Sequence, residues 1–145
     1  MVLTSLASVM RLSRPRDRMR LNGRHILVVD DAPDVLNVLV MLLRLEGAVV
    51  TGAANGREAL TAFKSRRFDV VVTDLGLPDI AGDLLIRALI AAAPRRTVIV
   101  IVITGEDGPA VARARAAGAD VVFTKPCAWS SVVTYLDRLS VLSAA

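Results

Sequence analysis

Five polar residues of the sequence each follow directly on a run of apolar residues. Asp30 and Asp31 follow HILVV, Asp74 follows DVVVT, Thr104 follows TVIVIVI and Lys125 follows VVFT. Short runs rich in Val and Ile are typical of strands buried in a sheet. Parallel sheets gather their functional residues at the carboxyl ends of the strands. We therefore expect these five side chains to share one edge of a sheet.

The five residue types suit phosphoryl chemistry assisted by Mg²⁺. Carboxylates held close together repel one another, so they either shift their pKa values or bind a cation. Mg²⁺ prefers a few carboxylates together with phosphate oxygens and water. The Lys125 ammonium and the Thr104 hydroxyl can bind phosphoryl oxygens. Asp74, on the central strand, is the best candidate for an aspartate nucleophile. Taken singly, Asp30 or Asp31 could equally be a helix N-cap.

The elements that must position these residues form five repeats of a strand followed by a helix. Nearly continuous apolar strands favour a parallel sheet that helices cover on both faces. Right-handed crossovers make this an α/β fold with a doubly wound, five-stranded parallel sheet. With the strand order 2-1-3-4-5, the first and third strands are neighbours, which brings the three aspartates together. The predicted strands are His25–Val29, Ala48–Thr51, Asp69–Thr73, Thr97–Ile103 and Val121–Thr124.

The helices are predicted from apolar spacings of three and four residues and from their end signals. The first helix begins at Pro33, since proline is tolerated in a first turn, and ends before Gly47. Asn55 is the expected N-cap of the second helix. Asp79 follows Pro78 and is expected to be a turn residue. The other predicted helices cover residues 56–66, 83–93, 109–117 and 129–142.

The basic character of the chain belongs to its amino-terminal part. Residues 1–24 carry six arginines and one aspartate, a net charge of +5, whereas the remaining residues carry 12 basic and 13 acidic side chains, a net charge of −1. We predict a basic, poorly ordered extension over residues 1–23 and one domain over residues 24–145. Such an arm could alternatively bind DNA or an anionic membrane. The sequence offers no membrane span, and its single cysteine, Cys127, suits a reducing, cytoplasmic location.

Five stretches of the chain, in this order, resemble the response-regulator receiver domain. The resemblance covers residues 25 to about 142 and implies a flavodoxin-like (βα)5 fold that works as a single-domain response regulator. Five matches in order, each at the end of a strand, are far more specific than any one of them. The matching stretches are VVDDAPDV (28–35), AANGREAL (53–60), FDVVVTDLGLPDIAG (68–82), VIVITGEDG (100–108) and GADVVFTKPC (118–127).

The resemblance implies a role for each residue of the candidate site. Asp74 resembles the phospho-accepting aspartate. Asp30 and Asp31 resemble the acidic pair that positions Mg²⁺, together with Asp74 and the backbone carbonyl of Gly76. Thr104 resembles the switch hydroxyl and Lys125 the lysine that pairs with the phosphoryl group. The family usually has a cis peptide bond after this lysine, before the equivalent of Pro126.

The resemblance also implies partners and contains one departure. The implied phosphoryl donor is a sensor histidine kinase or a histidine phosphotransfer protein. A downstream protein partner is expected on the fourth helix, fifth strand and fifth helix. Many receivers carry Tyr or Phe three residues before the lysine, where this chain has Val122. Phe123, one residue later, should point to the opposite face of its strand and so should not replace that aromatic ring.

Enzymatic functions fit the sequence less well than a signalling function. A nucleotide-binding dehydrogenase needs a glycine-rich turn after the first strand, where this chain has Asp-Asp-Ala-Pro. A haloacid-dehalogenase-type phosphatase places a second aspartate two residues after its nucleophile, where this chain has Gly76. We therefore expect no enzyme activity beyond the domain's own phosphorylation and dephosphorylation.

Overall fold

The five predicted strands form one parallel sheet in a computed structural model of the chain, which describes residues 21–94 and 97–144. The strand order is 2-1-3-4-5, as predicted. Each strand pairs in parallel with its neighbour, and Val29 at the end of β1 is opposite Thr73 at the end of β3. The observed bounds are β1 His25–Val29, β2 Val49–Ala53, β3 Val70–Thr73, β4 Ile99–Thr104 and β5 Val121–Thr124.

A helix follows every strand, and two of the helix ends in the described part show clear capping chemistry. Asn55 caps its helix, since its side chain accepts a hydrogen bond of 2.8 Å from the N–H of Glu58. Gly118 ends another helix in the left-handed conformation, with φ of 118°. The helices are α1 Pro33–Leu45, α2 Gly56–Ser65, α3 Gly82–Ala92, α4 Pro109–Ala117 and α5 Trp129–Ala144.

Two apolar layers cover the two faces of the sheet. On one face, α1 and α5 pack through buried residues such as Leu43 and Leu136. On the other face, α2, α3 and α4 pack through residues such as Ala59, Leu89 and Ala114. Because both faces are covered, β3 is buried along its whole length, which is why its sequence is a continuous apolar run.

Packing in the described part of the chain includes a residue ahead of residue 24, where we predict the domain to begin. Leu21 is only 1% exposed and belongs to the α1–α5 side of the core. Its N–H donates to the carbonyl of Glu46 at 2.9 Å. Residues 1–20, which hold most of the predicted basic extension and its possible DNA-binding or membrane-binding arm, lie outside the described residues. Among the helices of the described part, none is long and apolar enough to cross a membrane.

Candidate functional site

The three predicted aspartates meet where β1 and β3 end side by side. Oxygen atoms of Asp30, Asp31 and Asp74 all lie within 4.8 Å of one another. Asp30 is buried, Asp31 is exposed and Asp74 is half-buried, so the cluster opens to solvent on one side. Oδ1 of Asp30 accepts a hydrogen bond from the N–H of Ala32, and its Oδ2 faces Lys125.

Lys125, at the end of β5, reaches across into this acidic cluster. Its Nζ lies 2.9 Å from Oδ2 of Asp74 and 3.4 Å from Oδ2 of Asp30. Burial alone would lower the pKa of Lys125, but the two carboxylates outweigh burial and raise it. The ammonium therefore stays charged and partly neutralises a site that would otherwise hold three negative charges. The Lys125–Pro126 peptide bond is cis, as the resemblance implies.

The carboxylates of Asp30 and Asp74 differ in their affinity for protons. Burial raises the pKa of Asp30, and the negative charge of Asp74 raises it further. The hydrogen bond from the Ala32 N–H and the charge of Lys125 lower this pKa, but they do not offset the other two effects. Burial would also raise the pKa of Asp74, but its hydrogen bond to Lys125 and the lysine charge outweigh burial and lower that pKa. Asp74 is therefore ionised at neutral pH, which is the state that a nucleophile requires.

Thr104 completes the group at the end of β4. Its side chain is fully buried, and its hydroxyl accepts a hydrogen bond of 3.1 Å from the N–H of Glu106. Hydrogen bonding to this hydroxyl also helps to lower the pKa of Asp74. Oδ1 of Asp74 accepts from the N–H groups of Leu75, at 2.6 Å, and Gly76, at 3.3 Å. The structure thus gathers all five predicted side chains at one edge of the sheet.

Comparison with known proteins now identifies the domain. The sequence matches the response regulator receiver domain over residues 26–137. The chain belongs to this family. It is 30% identical over 119 residues to the chemotaxis protein CheY of Thermotoga maritima, covering 81% of this chain and 98% of that protein. It is 36% identical over 114 residues to the probable transcriptional regulatory protein TcrX of Mycobacterium tuberculosis, covering 79% of this chain but only 48% of that protein.

Solved receiver structures share the fold. A CheY-like receiver domain protein from Methanospirillum hungatei superposes with a TM-score of 0.76 at 26% identity, covering 81% of this chain and 93% of that one. A response regulator from Burkholderia pseudomallei superposes with a TM-score of 0.73 at 27% identity, covering 84% of this chain and 71% of that one. The latter structure contains a phosphorylated aspartic acid and a calcium ion. The chain is therefore a receiver domain of two-component signalling.

The donor set of this receiver fits a hard divalent cation. Three carboxylates supply only oxygen atoms, and no histidine or thiol joins the cluster among the described residues. Oxygen-only donors suit Mg²⁺ and Ca²⁺ rather than the softer transition metals. Asp31 is exposed, so a cation could keep some of its water on that side. The contribution of the Gly76 carbonyl stays a prediction.

Val122 and Phe123 lie on opposite faces of β5, as strand alternation predicts. Val122 packs with the residues under α2, α3 and α4, whereas Phe123 packs with the residues under α1 and α5. The Phe123 ring meets Tyr135 edge to face, with ring centroids 6.2 Å apart. Phe123 therefore does not take the place of the aromatic residue that many receivers have at the position of Val122.

Asp79 has a role that sequence reasoning missed. Its two carboxylate oxygens accept hydrogen bonds from Gly56 at 2.8 Å and Arg57 at 2.9 Å, the first two N–H groups of α2. These bonds lower the pKa of Asp79. Since Asp79 belongs to the loop after Asp74, it ties that loop to a helix more than 20 residues earlier in the chain. Only the tertiary structure brings the two together, so a local turn signal could not reveal the contact.

Proposed function

We propose that this receiver accepts a phosphoryl group on Asp74 and signals through the resulting change in conformation. The donor is a phosphohistidine on a sensor histidine kinase or a histidine phosphotransfer protein, and Mg²⁺ is the cofactor. The observation that carries the proposal is the 2.9 Å contact between Lys125 and Asp74 inside the acidic cluster. It joins an ionised nucleophile, a cation site and a phosphate-binding ammonium in one place.

The transfer is a displacement at phosphorus. A carboxylate oxygen of Asp74 forms the new P–O bond, and the P–N bond to the donor imidazole breaks. The electron pair of that bond stays on the imidazole nitrogen, which then takes up a proton. Asp30, Asp31, Asp74 and the Gly76 carbonyl would hold Mg²⁺, which supplies charge neutralisation between the carboxylates and the phosphoryl oxygens. Lys125 binds one phosphoryl oxygen and orients the group.

The phosphorylated state differs from the resting state in the partners of Lys125 and Thr104. In the resting state, Lys125 contacts two carboxylates directly. A phosphoryl group on Asp74 offers Lys125 and the Thr104 hydroxyl new acceptor oxygens, so these side chains shift toward it. Thr104 ends β4 and Lys125 follows β5, beside α4 and α5. The shift biases a pre-existing equilibrium between the resting and signalling conformations. We place the output surface on α4, β5 and α5, where a downstream protein would bind.

Several comparisons support this proposal. The Burkholderia pseudomallei relative carries its phosphoryl group on an aspartic acid and contains a divalent cation. The Thermotoga maritima chemotaxis relative is matched over 98% of its length, as expected for a regulator that consists of a receiver. A protein-glutamate methylesterase of Cereibacter sphaeroides is matched over only 30% of its length. That partial match favours a shared receiver module over a shared enzyme activity.

Three further parts of the proposal concern the chain as a whole. We propose that the domain works in the cytoplasm and has no activity beyond its own phosphorylation and dephosphorylation. We also propose a basic extension ahead of the receiver domain. The sequence puts its end at residue 23, and the burial of Leu21 favours an end before Leu21. DNA or membrane binding by this extension is an alternative output.

Phosphotransfer from a labelled donor tests the proposal. Purified protein is incubated with a phosphorylated histidine phosphotransfer protein and Mg²⁺, and intact mass is measured over time. We expect the mass of one phosphoryl group to be gained, and hydroxylamine to remove it because acyl phosphates are reactive. EDTA should stop the gain. Labelling that proceeds equally well without a divalent cation would contradict the roles of Asp30 and Asp31.

A further inference from the structure

A basic cleft lies at the end of the molecule opposite the acidic site. It occupies about 330 Å³ between the carboxyl ends of α2 and α3, beside the starts of β3 and β4. Phe63, Phe68 and Ala93 form its apolar floor, and all three are buried. The basic residues Lys64, Arg66 and Arg67 also line it and are exposed, so we describe them as its rim. We call these six residues the basic cleft.

The three rim cations have no ionic partner in the described part of the chain. Lys64, Arg66 and Arg67 are all exposed, and neither an ion pair nor a side-chain hydrogen bond involves them there. The nearby acid Asp69 forms no ion pair with them in the described part of the chain, and its carboxylate accepts a hydrogen bond from the N–H of His25. Lys64 also lies in the last turn of α2, where a cation stabilises the helix dipole. Arg66 and Arg67 lie beyond that turn.

The chemistry of the rim favours a phosphate-bearing partner. Arginine presents a planar fork of N–H groups that matches phosphate oxygens in pairs. The chain uses arginine for 16 of its 18 basic residues, and two of these stand side by side at this cleft. Each such contact releases a condensed counterion from a nucleic acid, which makes binding favourable at low salt.

The surroundings of the cleft favour a nucleic acid over a membrane surface. Stable peripheral membrane binding usually combines basic side chains with exposed apolar side chains that enter the lipid. None of the large exposed apolar residues of the described chain lines the cleft. These residues are Met41, Leu45, Val49 and Leu84.

We propose that the basic cleft binds the phosphodiester backbone of a nucleic acid, without reading its sequence. Lys64, Arg66 and Arg67 each contact one phosphate. Three neutralised phosphates contribute about 2.7 to the slope of log affinity against log salt concentration for duplex DNA. The site lies at the opposite edge of the sheet from Asp74, so this binding is independent of the proposed phosphorylation.

Salt-dependent DNA binding tests the proposal on the chain of residues 1–145. A fluorescent DNA duplex of random sequence is titrated by anisotropy at several salt concentrations. Replacing Lys64, Arg66 and Arg67 together by alanine should reduce the salt slope by about 2.7. The matched control replaces Arg113, Arg115 and Arg138, which are also exposed but lie on α4 and α5. The control should change the slope by less than about 1. Circular dichroism melting checks that both variants fold.

The outcomes distinguish binding at the basic cleft from binding by residues 1–20, by overall charge or to a membrane. An unchanged slope in the cleft variant, with binding lost on deletion of residues 1–20, would overturn the proposal. Equal losses in the cleft variant and the control would also overturn it, because overall charge would then account for the binding. Cleft-dependent binding to phosphatidylserine vesicles without binding to DNA would show a membrane site instead. Asp74→Asn should bind DNA as the wild type does, so failure of the phosphorylation proposal leaves this one testable.

Discussion

Replacing Gly82 by alanine tests how closely the loop after Asp74 is packed. Gly82 begins α3 and is buried against Leu75, the residue that follows the proposed acceptor. A Cβ atom at position 82 would lie 2.6 Å from the Cα, 2.7 Å from Cδ2 and 2.9 Å from the carbonyl oxygen of Leu75. Two of these three atoms belong to the backbone, so a change of rotamer cannot relieve the contact.

The distances set the size of the expected effect. Carbon atoms in contact normally lie about 3.5–4.0 Å apart, so Leu75 must move by about 1 Å. Overpacking of this kind typically lowers the free energy of unfolding by up to about 3 kcal/mol. The better helix propensity of alanine offsets up to about 1 kcal/mol of this cost. The net loss of about 2 kcal/mol should lower the Tm by about 8 °C.

The same displacement should slow phosphorylation. Leu75 is covalently joined to Asp74, and its N–H donates to Oδ1 of that residue. A misplacement of about 1 Å can reduce a reaction rate by up to about 100-fold. The rate is measured as labelling by acetyl phosphate with Mg²⁺, well below the Tm of the variant.

Gly105→Ala is the matched control for this experiment. Gly105 follows Thr104, and a Cβ atom there would meet nothing within 4 Å. Its φ is not positive in the range that disfavours other residues, so alanine should be neutral or stabilise by up to about 1 kcal/mol. If Gly82→Ala melted and became labelled as the wild type does, our account of how the loop is packed would be wrong.

Three other predictions follow from single contacts. Lys125→Met leaves Asp30 and Asp74 without their counter-ion, so without metal it should lower stability by about 1–3 kcal/mol. Mg²⁺ should restore more stability in this variant than in the wild type; equal stability without metal would refute the ion-pair argument. Asp79→Ala should destabilise the domain at pH 7. Because folding lowers the pKa of Asp79, its stabilisation is present above a pH of about 4 and is lost as the pH falls through the lower folded value. A pH-independent difference in urea midpoint between wild type and variant would contradict the carboxylate cap. Leu21→Ala should lower the free energy of unfolding by about 2–4 kcal/mol, whereas deletion of residues 1–20 should change it little. A larger loss of stability from the deletion than from Leu21→Ala would show that the domain begins earlier.

Much of the fold was predictable because the sheet is buried on both faces. The continuous apolar runs of β3 and β4 indicate strands covered by helices on both faces, and the strand order 2-1-3-4-5 belongs to the flavodoxin-like fold that the family resemblance implies. The predicted strand bounds differ from the observed ones by up to two residues where polar or small residues border a strand. For example, β2 extends through Gly52 to Ala53 because it pairs with β1 along its whole length.

The site was predictable in composition but not in its contacts. Each of the five side chains ends a strand, so the strand order alone brings them together. Lys125 contacts Asp30 and Asp74 directly because of the path that β5 takes. No sequence pattern predicts this contact. The roles of Asp79 and Leu21 depend on residues more than 20 positions away, which local patterns cannot report.

The central claim is that Asp74 accepts the phosphoryl group, and labelling by acetyl phosphate tests it most directly. Wild type, Asp74→Asn and the control Asp137→Asn, which removes a carboxylate from α5, are incubated with acetyl phosphate and Mg²⁺. Intact mass and peptide mapping then locate the added group. We predict one phosphoryl group on Asp74 in the wild type and the control, and none in Asp74→Asn. Full labelling of Asp74→Asn, or a phosphoryl group mapped to another residue of the wild type, would contradict the account.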